Sequence, residues 1–504
     1  MNDSYLWHLT ASGLAFLVPS GLLLVAASGL RPQRAWDAAL GGLAAFCLGC
    51  VGYWAVGFAF QFGSVGFLYS ENPELAGLVR GWIPLPEGWG IGWIAAGLEG
   101  WFLTGSAATP TAFSLFVAHA PWAMVAAMLP VVALRGRAPM VATMIVALMV
   151  GGFVYPLAGN WIQGGGWLGG LGRNLGLGHG MVDFGGAGSV FLVSASATMA
   201  ALLVWVPARR PQALTDPELP PVHLPLLAVT GALFVMVGVL GWVWASPVQQ
   251  LATDSFAGIR TAVNGLLYAA GGVTFPLLYT WFVSGTNDPG MSARGLVAGV
   301  VAGLAVGPFG GPAAALVIGL LAGGSVPFVT FALNRVFRLD DSAGVVAATG
   351  VPAAIGLLCV GIFADGAAGA GWQQIGAESY LGVTGQGVTG LLAAQGFQSD
   401  FPGQIQAQVI GIAGLSSWGF FAASLICAPL ALMFKGIERA MREVEPAVEQ
   451  PPLDGPPLDG PPQRERARLW REAAAQAQRE NSSIAQEMAA PRVAEMAADE
   501  PRFS

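Results

Sequence analysis

The side chains that most often carry enzyme chemistry are scarce in this sequence and widely spaced. Lysine occurs once, at Lys435, so the long apolar part of the chain has no lysine for a phosphate-binding loop or a Schiff base. The histidines are His8, His119, His179 and His223. Their spacing matches no metal-ligand pattern. We therefore expect no enzymatic activity, no cofactor and no metal site.

Two cysteines, Cys47 and Cys50, have the CxxC spacing of redox and metal sites, but no second pair accompanies them. Both lie in an apolar run, as Cys359 and Cys427 also do. Small thiols in such surroundings usually pack between helices. We interpret these cysteines as packing residues, with a redox or metal role as the alternative.

The composition explains why so few polar groups are available. Of the 504 residues, 54% are hydrophobic and 10% are charged, whereas a soluble globular domain has about 25% charged residues. Moreover, 23 of the 51 charged side chains lie in residues 435–504. We predict a membrane domain in residues 1–436, in contact with lipid, and a polar tail in residues 437–504. No basic stripe indicates nucleic-acid binding.

Apolar runs long enough to cross a hydrocarbon core of about 30 Å recur along the membrane domain. We predict about eleven spans from their length and hydropathy. They lie near residues 6–29, 38–61, 108–134, 139–159, 184–207, 222–245, 256–283, 292–309, 312–334, 345–365 and 405–434. The fold class is therefore an all-α polytopic membrane protein.

Arginines are distributed unequally between the two sides of these spans. The arginine-rich links contain Arg31, Arg34, Arg135, Arg137, Arg209, Arg210, Arg294, Arg335 and Arg338. The opposite links contain only Arg80 and Arg173. We expect Arg260, near a span end, to snorkel to the outer interface, with a role in cation exclusion as the alternative. Because cytoplasmic links carry the excess of basic residues, we predict an N-terminus outside and a cytoplasmic C-terminus.

The tail differs in composition from the spans. Pro451-Pro-Leu-Asp-Gly is repeated directly at Pro456, which predicts a short stiff linker. Residues 463–479 read as a short charged helix. We expect the last residues of the chain to be disordered.

Several stretches follow the order of motifs in one known family. Val18-Pro-Ser-Gly-Leu is similar to its first-span motif, and Gly52-Tyr-Trp-Ala-Val-Gly to its second-span motif. Asp183-Phe-Gly-Gly-Ala-Gly is similar to the segment entering its fifth span, and Arg338-Leu-Asp-Asp to the entry of its tenth. Over residues 5–436 the chain resembles the ammonium transporter family (the Amt and Rhesus group).

The resemblance implies an eleven-helix bundle with inverted five-helix repeats, assembled as a homotrimer in the cell (inner) membrane. The family recruits ammonium outside through a Trp, a Ser and a Phe. A double Phe gate and an apolar pore with two hydrogen-bonded histidines follow. Aromatic faces attract the cation, while a dry pore favours the neutral molecule. A cytosolic nitrogen-regulatory protein is the partner that the resemblance implies.

The chain departs from the family pattern at the pore histidines. In the motif that begins at Asp183, the first histidine position is Phe191. In the motif that begins at Asp340, the second is Thr349. Neither imidazole of the pair is therefore present.

The outer part of the path is also altered. The recruiting Trp position is Gln163, while Ser246 matches the recruiting Ser. Phe116 matches the upper Phe, the third-span gate position is Ala120, and the sixth-span gate position is Trp242, which could still close the pore.

Two further residues belong to this candidate path. Asp183 matches the family's buried aspartate, which we interpret as a structural cap of helix ends, with a role in the path as the alternative. His119 lies three residues after Phe116, on the same helix face. It either replaces the lost pair as a polar pore group or packs as a hydrogen-bonded interhelical residue.

Three functions remain open at this point. The first is a transporter or channel for ammonium and ammonia with an atypical pore. The second is a non-conducting ammonium sensor or receptor, because the histidine pair, the recruiting Trp and one gate Phe are absent. The third is a channel for another small neutral solute, which an apolar pore with Thr349 would also fit.

Overall fold

The structure is a computed structural model that describes most of the first 444 residues. The described ranges are 3–28, 30, 32–86, 91–205, 223–247, 255–368 and 371–444. The chain divides into two compact units, Met1–Gly436 and Ile437–Ser504. In the second unit only the backbone of residues 437–444 is described, as the end of the helix Gly403–Val444. The predicted linker and charged helix of the tail, like Arg31, Arg209 and Arg210, lie outside the described residues.

Eleven helices in the described ranges are long and apolar enough to cross a membrane. They are α1 (Tyr5–Ser28), α2 (Ala35–Phe67), α3 (Pro110–Leu134), α4 (Met140–Ile162), α5 (Ala187–Trp205), α6 (Leu224–Trp244), α7 (Phe256–Ser284), α8 (Pro289–Val306), α9 (Pro312–Val336), α10 (Val346–Phe363) and α11 (Gly403–Gly436). Each coincides with one predicted span, so the predicted fold class is confirmed. The chain is a multi-pass helical membrane protein.

Five of the spans contain a π-helical turn, in which the backbone is wound more widely than in an α-helix. These turns are Tyr53–Gly57, Val150–Val154, Ala187–Leu192, Ala332–Val336 and Val346–Gly350. Two of them end two residues before a proline, Pro156 in α4 and Pro352 in α10. Because proline has no N–H, a carbonyl one turn earlier loses its partner, and a local π turn adjusts the remaining hydrogen bonds.

Small residues bring the helix backbones close together. A Cβ atom at Gly323 of α9 would lie 2.0 Å from the carbonyl oxygen of Gly272 in α7. A Cβ atom at Gly299 of α8 would lie 2.2 Å from the carbonyl oxygen of Tyr268 in α7. Only glycine fits at such contacts, and close approach of this kind is how helices associate within a bilayer.

The long links between spans are largely irregular. Two short antiparallel pairs form within them, β1 (Gly81–Trp82) with β2 (Ala96–Gly97), and β3 (Ser379–Tyr380) with β4 (Val383–Thr384). A one-turn helix, Leu171–Leu175, lies between α4 and α5. The links before α3, α5 and α11 are the three long loops that the sequence places on the side opposite the arginines.

Candidate functional site

Phe191 and Thr349, the two predicted pore-histidine positions, lie on π-helical turns. Phe191 belongs to the turn that opens α5, and Thr349 to the turn that opens α10. Both side chains are buried, with exposed fractions of 1% and 2%. The Thr349 hydroxyl donates to the carbonyl oxygen of Val345 at 2.6 Å, so its polar atom is used within its own helix.

An aspartate caps each of these two turns. Asp183 Oδ2 accepts hydrogen bonds from the backbone N–H groups of Gly188 and Ser189, both at 3.0 Å. Asp341 accepts from the N–H groups of Val345 at 2.9 Å and Ala347 at 3.0 Å. Each aspartate stands eight residues before a replaced histidine position. The two halves of the chain therefore build this part of the path in the same way.

Burial controls the protonation of both capping carboxyls. Desolvation raises the pKa of Asp183 to about 6, against the lowering effect of the hydrogen bonds from Ser189 and Gly188. Desolvation likewise raises the pKa of Asp341 to about 6, against the hydrogen bond from Ala347 and the charge of Arg294. Helix N-termini favour the charged form and burial disfavours it, so burial is the stronger effect here.

Three aromatic rings fill the interior of the bundle next to Phe191. Trp122 of α3 and Trp242 of α6 are stacked, with ring centroids 5.0 Å apart and an interplanar angle of 6°. Phe191 packs on Trp242 with centroids 6.0 Å apart. The Trp242 Nε1–H donates to the carbonyl oxygen of Gly185 at 2.8 Å, which fixes its orientation. The two Trp side chains have no exposed surface, and we call this buried cluster of three rings the aromatic plug.

Trp122 was not predicted from the sequence, although it lies only three residues after His119 on α3. Its ring comes within 2.4 Å of the position that a Cβ atom at Gly186 would occupy. Gly186 also has a φ of +79°, which favours glycine. A glycine beside the buried motif of Asp183 was the available signal that a large ring lies against this segment.

His119 is buried beside the plug and is hydrogen-bonded between helices. Its Nε2 lies 3.1 Å from the hydroxyl oxygen of Ser246, 127 residues further along the chain. Its ring packs against Phe62 and Trp122, with centroid distances of 4.8 and 4.5 Å. Among the described residues no group bonds its Nδ1. The structure thus joins two predicted path residues, His119 and Ser246, into one polar pair surrounded by rings.

The other two gate positions predicted on α3 have different neighbours from His119. Phe116 stacks on Tyr53 of α2, with centroids 5.4 Å apart and an angle of 15°. Ala120 is 3% exposed and packs in the core. The upper aromatic group is therefore built with α2, whereas the plug is built between α3, α5 and α6.

The predicted recruitment position is covered from outside. Gln163 is 7% exposed and its Nε2 donates to the carbonyl oxygen of Asp183 at 3.2 Å. Gln373, in the loop before α11, donates from its Nε2 to the carbonyl oxygen of Ile162. Gln373 and Gln374 both have positive φ angles, of 50° and 66°. The loop therefore turns sharply at the point where it meets the end of α4.

A neighbouring tryptophan anchors the same loop. Trp372 is 4% exposed and packs edge-on against Phe309, with centroids 5.9 Å apart. Phe309 packs edge-on against Phe184, which directly follows Asp183. The sequence alone did not identify Trp372 or Gln373. The glycines that flank them, Gly371 and Gly376, indicated only a turn.

A buried polar network lies between α2 and α4, close to this region. The Tyr53 hydroxyl donates to Gln61 Oε1 at 2.8 Å. Asn160 Nδ2 donates to the Gln61 carbonyl oxygen at 2.9 Å and to Ser64 Oγ at 3.0 Å. Buried polar groups that bond one another in this way hold two spans in a fixed register.

Arg260 forms an ion pair near the ends of two spans. Its guanidinium bonds Asp365, which follows the end of α10, and the two side chains are 7% and 16% exposed. Its Cζ also lies 5.9 Å from the ring centroid of Phe256. The sequence did not predict this pair, because its partners lie 105 residues apart and meet only on folding.

The part of the chain that the structure describes contains no cluster of metal ligands. No three His, Cys, Asp or Glu side chains there lie close enough together to hold an ion. The four cysteines are free thiols: Cys359 and Cys427 are buried and Cys50 is partly buried, whereas Cys47 is exposed. The interpretation of Cys47 as a packing residue was therefore wrong, because it lies on the outward face of its helix.

Comparison with known proteins finds relatives that match most of the membrane domain. Residues 6–446 match the Ammonium Transporter Family. The ammonium transporter Amt2 of Archaeoglobus fulgidus is 27% identical over 427 residues, which are 84% of this chain and 78% of that protein. Amt1 of Haloferax mediterranei is 27% identical over 376 residues, covering 72% of this chain and 67% of that protein.

Solved structures share the fold at lower sequence identity. A protein described as a sensor Amt protein superimposes with a TM-score of 0.66 at 22% identity, covering 87% of this chain and 94% of that one. Mep2 of Candida albicans gives a TM-score of 0.64 at 20% identity, covering 84% and 83%. The family match extends over nearly the whole membrane domain, and the chain therefore belongs to the ammonium transporter family.

Proposed function

We propose that this protein moves ammonia or ammonium across the membrane, and that the species passing the centre of the bundle is neutral. The path runs from Gln163 and Ser246 past His119 and the plug to Phe191 and Thr349. The observation that supports it most is the retained scaffold: both π turns and both capping aspartates are present, while the groups at the histidine positions are apolar or internally bonded. The relatives' names, ammonium transporters, support the substrate class.

The chemistry of the interior favours a neutral species. Phe191 has no hydrogen-bonding group, and the Thr349 hydroxyl already bonds Val345. An ion entering this region would lose its hydration without gaining a ladder of polar partners. An increment of about 3 kcal/mol in the barrier slows passage about a hundredfold. His119 with Ser246 is the polar pair on the path that could accept a hydrogen bond from a neutral molecule.

Reconstituted protein provides the test. Proteoliposomes should show ammonia-driven alkalinisation of the lumen with little or no ammonium-evoked current. The double variant Phe191→His with Thr349→His should raise that current, and Trp242→Ala should raise the neutral flux by opening the plug. Trp281→Ala is the matched control, since Trp281 is 53% exposed at the far end of α7. A robust saturable current in the unmodified protein would contradict neutral passage and direct attention to His119 as a proton carrier.

A non-conducting ammonium sensor is the second candidate, and the plug favours it. Trp122, Trp242 and Phe191 are each at most 1% exposed and are packed on one another. If the path stays closed, ammonium bound near Gln163 could act only by changing the conformation. In that case liposomes would show no ammonium current, no ammonia flux and no flux of other small neutral solutes, while ammonium would still raise the unfolding temperature of the protein. Flux of another solute without ammonia flux would favour the third function.

We further propose that the protein is a homotrimer in the cell membrane with its N-terminus outside and its tail in the cytoplasm. The arginine distribution supports this orientation, and the family supports the trimer. Native mass spectrometry in mild detergent should give a trimer, and cysteine labelling at residue 460 should occur only from the cytoplasmic side. A cytosolic nitrogen-regulatory protein is the proposed partner, and deletion after residue 445 tests whether the tail takes part in its binding.

A further inference from the structure

A groove of about 420 Å³ lies on the outside of the bundle, between α5, α10 and α11. Its lining is made of small, apolar and hydroxyl side chains, four from each helix. They are Leu192, Ala195, Ser196, Met199, Val346, Gly350, Val351, Ala354, Ser416, Ser417, Phe420 and Phe421. The groove lies outside the path described above and has no part in the proposed function.

The floor of the groove separates it from the candidate path. Leu192 and Gly350 are floor residues, and they directly follow Phe191 and Thr349 in the chain. A Cβ atom at Gly350 would lie 2.5 Å from the Cβ atom of Ala195, so α5 and α10 touch here. The groove is therefore closed toward the interior and open outward, where Phe421 at its rim is 68% exposed.

The position of the groove along α11 indicates which part of the bilayer it faces. Phe420 lies at the middle of α11 (Gly403–Gly436), and Ser417 is about 20 Å along the helix from Gly403 at 1.5 Å per residue. The outward face of α11 is strongly apolar there, with Leu425 79% exposed. At that depth the groove opens to the hydrocarbon of the bilayer rather than to headgroups or water.

The lining offers few groups to a polar occupant, since nine of its twelve residues have no nitrogen or oxygen atom in the side chain. The Ser416 hydroxyl donates to the carbonyl oxygen of Ile412 at 2.6 Å, as serine often does within a membrane helix. A stable buried water would need two to four polar partners, and an empty groove would forfeit dispersion contacts along its walls. We propose that the groove holds one acyl chain of a bilayer phospholipid, which packs behind the π turns that carry Phe191 and Thr349.

The experiment places the full-length protein in detergent-free nanodiscs made with a phospholipid that is brominated in the middle of its acyl chains. A cryo-EM map should show bromine density in the groove, stronger than at other positions around the bundle. Ala354→Phe, which fills the lining, should lose that density. Ala413→Phe is the matched control, because Ala413 lies on the same helix as part of the lining but outside the groove, and it should keep the density.

Two results would overturn the proposal. Bromine density on the rest of the bundle but not in the groove would show that no acyl chain is held there. A side chain or helix of a second copy seated in the groove would show that this face is a protein interface. If Ala354→Phe does not fold, the unmodified protein still decides the question, because its own map shows the groove occupied by bromine or not.

Discussion

Replacement of His179 should make the fold less sensitive to acid. His179 lies in the loop before α5 with no exposed surface, and its ring centroid is 3.9 Å from that of Tyr380. Its backbone N–H donates to Gln404 Oε1 at 2.9 Å, whereas neither ring nitrogen has a partner among the described residues. A charged imidazolium here would bury two donors without acceptors, so burial lowers the pKa of His179 from 6.5 to about 4.

The size of the effect follows from that shift. When the folded-state pKa of a histidine is lowered, the unfolded chain takes up the proton first as the pH falls. Stability is therefore fully present above pH 6.5 and is lost as the pH falls toward 4. At 1.36 kcal/mol per pH unit, the full loss is about 3 kcal/mol. Asp400, which accepts a hydrogen bond from Tyr380 at 2.9 Å, has a pKa raised by burial and acts in the opposite direction.

Unfolding of detergent-solubilised protein between pH 7.5 and 4 provides the measurement. His179→Gln should unfold more easily than the unmodified protein at pH 7.5, but its stability should fall less as the pH decreases, by up to about 3 kcal/mol. Tyr380→Phe keeps the ring against His179 but changes the titration of Asp400, so the effect of His179→Gln is measured in the unmodified and in the Tyr380→Phe background and should be the same in both. Parallel pH profiles for His179→Gln and the unmodified protein would refute the reasoning.

Three further substitutions test contacts of the scaffold. Asp365→Asn should destabilise the protein by about 3–5 kcal/mol because it leaves Arg260 buried without its counter-charge. The double variant Asp365→Leu with Arg260→Met should recover part of that loss, as measured by chemical unfolding. Gly323→Val should destabilise the protein by about 3 kcal/mol by forcing α9 away from α7, because a Cβ atom there would lie 2.0 Å from a carbonyl oxygen. Gly265→Ala is the control and should change the unfolding midpoint little, since Gly265 has open space around it. Glu74→Gln should reduce the free energy of unfolding by about 1 kcal/mol at pH 7, since the hydrogen bond from Thr111 lowers the pKa of Glu74 below 4.5. This contribution is lost as the pH falls below that pKa, so the two proteins should be equally stable in acid.

The sequence alone determined the eleven spans. A bilayer requires every backbone polar group of a lipid-facing segment to bond within its own helix, and its hydrocarbon core of about 30 Å requires about 20 mostly apolar residues, so each span appears as a continuous apolar run. For the same reason the order of the runs was readable without any knowledge of packing. The prediction that Phe191 and Thr349 stand at the pore-histidine positions also came from the sequence, because each lies at a fixed distance from an aspartate in its motif.

What those residues touch was decided by the tertiary structure. Hydropathy places a side chain in a span but gives no information about its rotation toward a particular neighbour. His119 and Ser246 are 127 residues apart, and Arg260 and Asp365 are 105 apart. Each pair forms only when folding packs the segments that carry its two residues against one another. The stacking of Trp122 on Trp242 and the hydrogen bond from Gln373 to Ile162 likewise form only on folding.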